Sequence, residues 1–108
     1  MPLYMFQASY TTQGISDLVK TPQDRAAAVR PIIERMGGKL ENLYFAFGDF
    51  DVVAIAELPD NVSMSALAMA VGASGALGSF KTTVLIPMDE AVEAMRKAGT
   101  VGYRPPGG

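Results

Sequence analysis

The chain has 108 residues, of which about half are apolar, and its formal net charge is −2. This length predicts one compact domain, and no apolar run approaches the roughly 20 residues that a membrane-spanning helix needs. Because the chain contains neither histidine nor cysteine, a Ser-His triad, a thiol nucleophile, a disulfide, a His-ligated haem and an ordinary zinc site are excluded.

The N-terminus and the charge pattern predict a location and limit the partners. Residues 1–4 lack the basic segment, long apolar region and small-residue cleavage site of a secretory signal, so we expect a cytoplasmic protein. Nine basic residues are offset by eleven acidic ones and form no cluster. We therefore expect neither nucleic acid nor a membrane as a partner.

The first predicted element is an aromatic strand over residues 3–10. One face carries Tyr4, Phe6, Ala8 and Tyr10, and the other carries Leu3, Met5, Gln7 and Ser9. Residues 11–14 should break this strand, and residues 15–20 should form a loop with a short helical turn.

A helix is predicted after this loop. Thr21 is suited to its N-cap because Pro22 then takes the first helical position, where a missing N–H costs nothing. Pro31 deletes one backbone hydrogen bond inside the helix, so we expect either a kink or a split there. Gly37 and Gly38 supply a left-handed stop. The predicted buried face is Val29, Ile32, Ile33 and Met36.

Two strands form a predicted hairpin at the centre of the chain. They cover residues 39–47 and 51–58, and Gly48 supplies the positive φ that a short connection needs. The tip reads Gly48-Asp49-Phe50-Asp51 and is followed by Val52-Val53.

This tip resembles the signature of the GYD domain family, with Phe50 where the family usually has tyrosine. Residues 21–25 before a helix and Pro59-Asp60 after a strand fit the same resemblance, which therefore covers most of the chain. The resemblance implies a ferredoxin-like unit related to the dimeric α+β barrels, in a family whose biochemical role is largely undefined.

A second helix and a fourth strand follow the hairpin. Asp60 or Ser63 should cap the helix, and residues 79–87 should form the strand. The inward face of the helix is predicted to be Met64, Leu67, Ala68 and Val71.

The chain is predicted to end in a short helix and a tail. Asp89 should cap this helix, which carries apolar residues at Val92 and Met95 and an i, i+4 pair of Glu93 with Lys97. We expect residues 1–98 to form one ferredoxin-like domain. The Gly/Pro-rich residues 99–108 should be a flexible tail or an arm on a neighbouring subunit.

The order of elements predicts an α+β, ferredoxin-like βαββαβ fold, in which an antiparallel sheet carries both long helices on one face and a short C-terminal helix follows. The small side chains of Ala54 and Ala56 should face the helices. The opposite, open face is then too apolar to remain in water. We expect a second copy to cover it, which gives a homodimer, or a higher oligomer, of the dimeric α+β barrel type.

The face enclosed between two copies is the predicted pocket for a small organic ligand. Its register on the second strand is open, because a one-residue slip decides whether Tyr44 or Phe45 faces the pocket. The predicted ligand-binding residues are Gln7, Ser9, Glu57, Lys81 and Thr83.

The candidate catalytic residues are Glu57, Lys81 and Tyr44. Burial near Ile55 would raise the pKa of Glu57 toward general acid/base use, with Lys81 or Tyr44 stabilising an oxyanion. The alternative, which we favour, is that Glu57 pairs with Lys81 and holds the sheet or the dimer together.

Two further charged groups have structural interpretations that we favour. Asp49 and Asp51 flank the hairpin tip, but two carboxylates are too few for a calcium loop, so we predict no metal site. Lys20 and Arg25 bracket a helix start where an anion could bind, but a solvated pair is the simpler interpretation.

Three functions are compatible with these residues. The first is a small-molecule-binding homo-oligomer without a cofactor. The second is a cofactor-independent enzyme of the oxygenase or isomerase type with Glu57 as base, which is implied by fold analogy. The third is a structural assembly module whose polar pairs set the register between subunits.

Overall fold

The strands of the sheet are β1 (Leu3–Tyr10), β2 (Lys39–Phe45), β3 (Val52–Glu57) and β4 (Leu77–Leu85). The helices are α1 (Thr12–Lys20), α2 (Arg25–Arg35), α3 (Asn61–Ala73) and α4 (Met88–Ala98). The structure is a computed structural model that describes residues 1–107. Its strands form one antiparallel sheet in the order β2-β3-β1-β4. The predicted α+β, ferredoxin-like fold is confirmed.

Residues 12–20 form a helix, so the predicted loop is wrong. Thr11 caps α1, since its Oγ1 accepts a hydrogen bond from the N–H of Gly14 at 3.1 Å. Gly14 is buried, and a Cβ at this position would lie 2.5 Å from the carbonyl oxygen of Ala76. The glycine predicted to break the strand therefore lets α1 approach the backbone before β4.

The second helix begins later than predicted. Asp24 is its N-cap, and its carboxylate accepts a hydrogen bond from the N–H of Ala26 at 2.9 Å, whereas Thr21 ends α1. Aspartate caps at least as well as threonine, so tertiary packing decides between them. α2 runs through Pro31 as one helix, so the predicted split does not occur. Gly37, with a φ of 85°, ends it as predicted.

The core lies between the sheet and the helices. The prediction that Ala54 and Ala56 face the helices is confirmed, because both are buried. α2 packs against β2, and α3 packs against β4. The remaining buried apolar residues are Tyr4, Ala8, Ile33, Leu40, Val52, Leu58 and Met64. The predicted inward face of α3 is also confirmed, with Met64 buried and Leu67, Ala68 and Val71 half-buried.

The hairpin between β2 and β3 has a longer tip than predicted. The strands end at Phe45 and resume at Val52, so residues 46–51 connect them. Gly48 is not among the residues with positive φ. A connection of this length needs no left-handed residue, and the predicted role of Gly48 is therefore wrong.

The open face of the sheet has three rows of residues in register. Leu3 lies between Glu57 and Leu85, Met5 between Ile55 and Thr83, and Gln7 between Val53 and Lys81. On β2, Tyr44 pairs with Val53 and Phe45 pairs with Val52. Because directly opposed residues share a face, Tyr44 belongs to the open face and Phe45 to the helix-covered face. This answers the register question that the sequence left open.

The last helix differs from its prediction at its start and in its ion pair. Pro87 is the N-cap of α4 and makes no side-chain cap bond, so the predicted cap at Asp89 is wrong. Glu93 pairs with Arg96 at 3.3 Å instead of with Lys97. Residues 99–107 contain no helix or strand, Gly108 lies outside the described residues, and the flexibility of this tail stays a prediction. In residues 1–107, no helix combines the length and apolar composition needed to cross a bilayer.

Candidate functional site

The helix-covered side of the sheet contains a cleft. α2 and α3 lie over opposite edges of the sheet, so the space between them opens above the central strands β1 and β3. Ala8, Ala54 and Ala56 present only methyl groups to this space from the strands below. We name this space, together with its outer mouth beside Leu18 of α1 and the start of α2, the sheet–helix cleft.

The outer part of the sheet–helix cleft is a cavity of about 360 Å³. It lies at the end of β1 near the start of α2. Its walls are Tyr10, Leu18, Pro22, Gln23, Asp24, Arg25, Leu43, Phe45 and Val52. The outer cavity therefore combines an aromatic and aliphatic floor with a charged and polar rim.

Two smaller spaces continue the cleft inward. A cavity of about 150 Å³ shares Tyr10, Arg25, Leu43 and Val52 with the outer cavity. A cavity of about 80 Å³ adjoins that one and reaches the core residues beneath the helices. The two inner spaces share five walls, Val29, Leu43, Val52, Leu67 and Val71. The cleft thus becomes wholly apolar with depth.

The rim of the cleft is organised by two contacts. The rings of Tyr10 and Phe45 stack with centroids 6.5 Å apart and an interplanar angle of 14°. The guanidinium of Arg25 donates a hydrogen bond from Nη1 to Oε1 of Gln23 at 2.7 Å. The carboxylate of Asp24 is already used by the cap of α2. Arg25 is thus the cation available to a ligand at the rim.

The ligand-binding residues predicted from the sequence lie on the opposite, open face. Gln7 and Lys81 are neighbours across β1 and β4, and Ser9 and Thr83 lie one step away along the same strands. Ser9 and Thr83 lie on opposite sides of this pair, four residues of register apart, so the four residues follow a diagonal across the two strands. Ser9 also donates a hydrogen bond from its Oγ to the carbonyl oxygen of Asp49 at 3.2 Å. Glu57 lies at the far end of this face, in the row of Leu3.

The three candidate catalytic residues do not form one site in a single chain. Glu57 and Lys81 are separated by two strand spacings and four residues of register, which places their Cα atoms about 17 Å apart. Glu57 and Tyr44 lie on neighbouring strands but are again offset by four residues. The predicted ion pair of Glu57 with Lys81 therefore does not form within one chain. A contribution from a second copy stays a prediction.

The tyrosines have structural contacts. Tyr4 is buried, and its hydroxyl donates a hydrogen bond to Oδ1 of Asn61 at 2.7 Å. The hydroxyl of Tyr44 accepts a hydrogen bond from Nδ2 of Asn42 at 3.2 Å on the open face. Tyr10 lines the outer cavity of the sheet–helix cleft, and Tyr4 lines its innermost cavity.

The aspartates of the hairpin tip have different contacts. Oδ2 of Asp51 accepts a hydrogen bond from the N–H of Tyr10 at 2.9 Å, and the N–H of Asp51 donates to the carbonyl oxygen of Ala8 at 2.8 Å. Asp51 therefore joins the tip to the end of β1, beside the mouth of the cleft. In residues 1–107, no group of three or more carboxylates is placed to hold a metal ion.

A hollow of about 310 Å³ lies on the open-face side of the same tip. Gln7 and Val53 form its floor, and Phe47 and Phe50 lie beside them. Phe47 is fully exposed to solvent in one chain. Gln7 is the predicted ligand-binding residue that this hollow brings next to the tip.

A comparison of the sequence with protein-family models gives a result that agrees with this architecture. It fits the hairpin tip, the hydrogen bond from the tip to β1 and the ferredoxin-like sheet. The model of the GYD domain matches residues 4–95 of the chain. The chain belongs to the GYD domain family. The matched part of this GYD domain includes β1 from Tyr4 onward, the other three strands, both hairpin aspartates and most of α4. A search of the curated proteins found no match.

Sequence reasoning missed the aromatic residues of the cleft. Tyr10 and Phe45 were assigned to strands, and the register of Phe45 was open, so their stacking was not predicted. Arg25 was identified as a possible anion contact beside a helix start, and it lines the outer cavity. The pair Ala54 and Ala56 was the sequence signal that could have indicated the cleft. Small side chains beneath two helices can leave an empty space as readily as they permit close packing.

Proposed function

We propose that this GYD domain binds a small aromatic or otherwise apolar organic molecule in the sheet–helix cleft. The observation that carries this proposal is the outer cavity of about 360 Å³ that opens into an apolar interior. Cavities that bind small molecules commonly measure roughly 300–1,000 Å³ and combine apolar walls with a few polar groups. The outer cavity meets both conditions.

The inner part of the cleft supports an apolar ligand. Protein interiors are normally packed to the density of organic crystals, and an empty apolar space costs stability. Here Ala54 and Ala56 leave such a space beneath Val29 and Leu67. An apolar group that enters from the outer cavity would recover contacts that the side chains do not make with one another.

The rim supports a ligand that also carries an anionic or hydrogen-bond-accepting group. Arg25 is exposed at the rim, and within residues 1–107 it forms no ion pair. Its guanidinium can donate to a carboxylate, sulfonate or phenolate oxygen. The stacked rings of Tyr10 and Phe45 offer an aromatic edge beside it. The proposed ligand therefore has an apolar body and one polar end.

The pocket predicted from the sequence lies on the other face of the sheet and depends on a second copy to enclose it. A site in the cleft and a site on the open face predict opposite effects on ligand binding when one of two matched valines is enlarged. Val71 on α3 lines both inner cavities. Val53 on β3 lies on the open face and borders the hollow at the hairpin tip.

Fluorescence titration with 1-anilinonaphthalene-8-sulfonate tests the proposal, because this probe has an apolar body and a sulfonate. Val71→Phe fills the cleft, and we expect it to weaken probe binding about 10-fold or more, which corresponds to a loss of about 1.4 kcal/mol. Val53→Phe adds the same ring to the open face, and we expect it to leave the dissociation constant within about 2-fold. Circular dichroism and thermal unfolding show whether both variants are folded.

The reverse result, a loss of binding in Val53→Phe with normal binding in Val71→Phe, would place the site on the open face and refute the cleft. Arg25→Ala adds a second measurement. We expect this substitution to weaken binding of the sulfonate probe and to leave binding of the neutral probe N-phenyl-1-naphthylamine unchanged. Equal weakening of both probes would remove Arg25 from the site.

A further inference from the structure

The C-terminal helix exposes an apolar stripe. Met88, Val92 and Met95 recur at helical spacing, and their side chains are 72%, 38% and 62% exposed. None of the residues of α4 is buried. The polar residues Asp89, Glu93 and Arg96 lie away from this stripe. An amphipathic helix owes most of its stability to packing of its apolar face, so α4 lacks its main stabilising contact in one chain.

The helix stands away from the rest of the molecule. The chain measures 59 × 33 × 22 Å and has a radius of gyration of 17.5 Å, whereas a compact domain of this length has a radius of about 13 Å. β1, one of the longest strands, spans only about 27 Å. Within residues 1–107, no residue of α4 is buried, and α4 forms no extensive contact with another helix or strand of its chain. The helix therefore does not pack over the sheet of its own chain.

The open face is a second unpaired apolar surface. Its apolar residues are Leu3, Met5, Val53, Ile55 and Leu85, all of them only half-buried. Four strands of this length cover about 450 Å² in projection, which is less than the roughly 600–1,000 Å² per partner of a stable interface. The stripe of α4 is about 16 Å long and about 10 Å wide. Exchange of α4 between two chains would add the stripe's area of about 160 Å² to the surface that each chain contributes, which brings it to about 600 Å², the lower end of that range.

We infer that α4 is an exchanged arm, whose apolar stripe packs against a second copy of this chain at the margin of the open face. A two-fold dimer repeats this contact, so each chain gives its helix and receives that of its partner. Only Ile86 and Pro87 separate β4 from α4. Short hinge segments favour exchange of an element between copies.

The charges of α4 favour a second copy over a lipid surface. Asp89, Glu90 and Glu93 outnumber Arg96 and Lys97. Helices that lie on membranes are instead rich in lysine and arginine on the polar face, because bilayers commonly carry anionic lipids. The open face of the same chain supplies the apolar partner surface that α4 needs.

Sedimentation equilibrium of the full chain tests the inference with two matched aspartate substitutions. Val92→Asp places a charge on the stripe, and we expect it to raise the dimer dissociation constant about 100-fold. Ala94→Asp places the same charge on the other side of α4, and we expect a change of less than about 3-fold. A wild-type chain that is monomeric at about 100 µM would overturn the inference. Equal effects of the two substitutions would also overturn it.

A fluorescent reporter separates exchange from docking of α4 on its own chain. The chain contains no tryptophan, so Met95→Trp provides a single reporter on the stripe. We expect its emission to move to shorter wavelength as concentration rises through the dimer dissociation constant, whereas Ala94→Trp keeps the emission of a solvated indole. A short-wavelength emission already present in the monomer would show that α4 packs on its own chain, and would refute exchange.

Discussion

The first two thirds of the chain and its last third use apolar residues differently. From β1 to α3, apolar side chains of the strands and helices meet and form the core, with Tyr4, Ile33 and Leu58 almost completely buried. From β4 to the tail, within the described residues, no residue is buried. We call these the packed region (residues 3–73) and the C-terminal region (residues 77–107). The difference shows that a single chain completes its core and still leaves apolar side chains of the C-terminal region exposed to solvent.

The sharpest test of this comparison is the removal of a core side chain. Leu58 is fully buried between the sheet and α2. Leu58→Ala should lower the free energy of unfolding by about 3 kcal/mol, because the transfer energy is lost and a cavity is left. Urea denaturation measures this loss, and we expect the same loss at every protein concentration.

Val92→Ala gives the matching measurement in the C-terminal region. If α4 packs on a second copy, the cost of this change grows with protein concentration, because only the dimer uses the contact. Met69→Ala on the exposed side of α3 is the control, and we expect a change of less than about 0.5 kcal/mol. A concentration-independent cost for Val92→Ala would mean that α4 belongs to the packed region.

Two glycines test how tightly the packed region is assembled. A Cβ at Gly14 would collide with the carbonyl oxygen of Ala76, which is backbone and cannot move alone. Gly14→Ala should therefore cost about 2 kcal/mol. Gly48→Ala is the control, since nothing lies within 4 Å of its added Cβ and its φ is not left-handed. We expect Gly48→Ala to be neutral or slightly stabilising in thermal unfolding. Equal losses for both would contradict the close approach of α1.

Substitutions at the hairpin tip test whether the residues of the family signature contribute to the stability of the packed region. Asp51→Ala removes the acceptor for the N–H of Tyr10 and should cost about 1.5 kcal/mol in chemical denaturation. Asp49→Ala should change stability by less than about 0.5 kcal/mol, since the partner of Ser9 is the carbonyl oxygen of Asp49 and not its carboxylate. Amide hydrogen exchange at Tyr10 should accelerate only in Asp51→Ala.

The smallest expected effect is a pH dependence at the start of α3. The hydrogen bond from the backbone N–H of Ser63, with a further one from its hydroxyl, lowers the pKa of Asp60 below its ordinary value of 3.8. A carboxyl with a lower pKa in the folded state adds stability above the unfolded-state pKa, and this stability is lost as the pH falls through the folded value. Asp60→Asn keeps a cap and should flatten the stability profile below about pH 4. An unchanged slope would show that other carboxylates dominate acid unfolding.

Residues with a local role were predicted well. The strand alternation of Ala54 and Ala56 identified the face that meets the helices, and Asp60 was identified as one of two possible caps of α3. These predictions succeed because side-chain direction along a strand and the unpaired N–H groups of a helix start depend on neighbours in the chain.

Residues with a role across elements were predicted poorly. Glu57 and Lys81 share the open face, and only the register through β1 reveals how far apart they are. Thr21 was predicted to cap α2, but α1 ends at Thr21 and Asp24 caps α2 instead. Gly14 was interpreted as a break because the carbonyl of Ala76 is remote in sequence.

The amino-acid sequence by itself determined the βαββαβ order of the main elements, though not the helix α1, together with the family signature at the hairpin tip and the chemistry that a chain without histidine or cysteine excludes. These follow from local pattern and composition. Only the tertiary structure decided that Tyr10, Phe45 and Arg25 meet at the mouth of a cleft and that α4 projects from the sheet. Both depend on strand register and on where helices rest, which long-range packing sets.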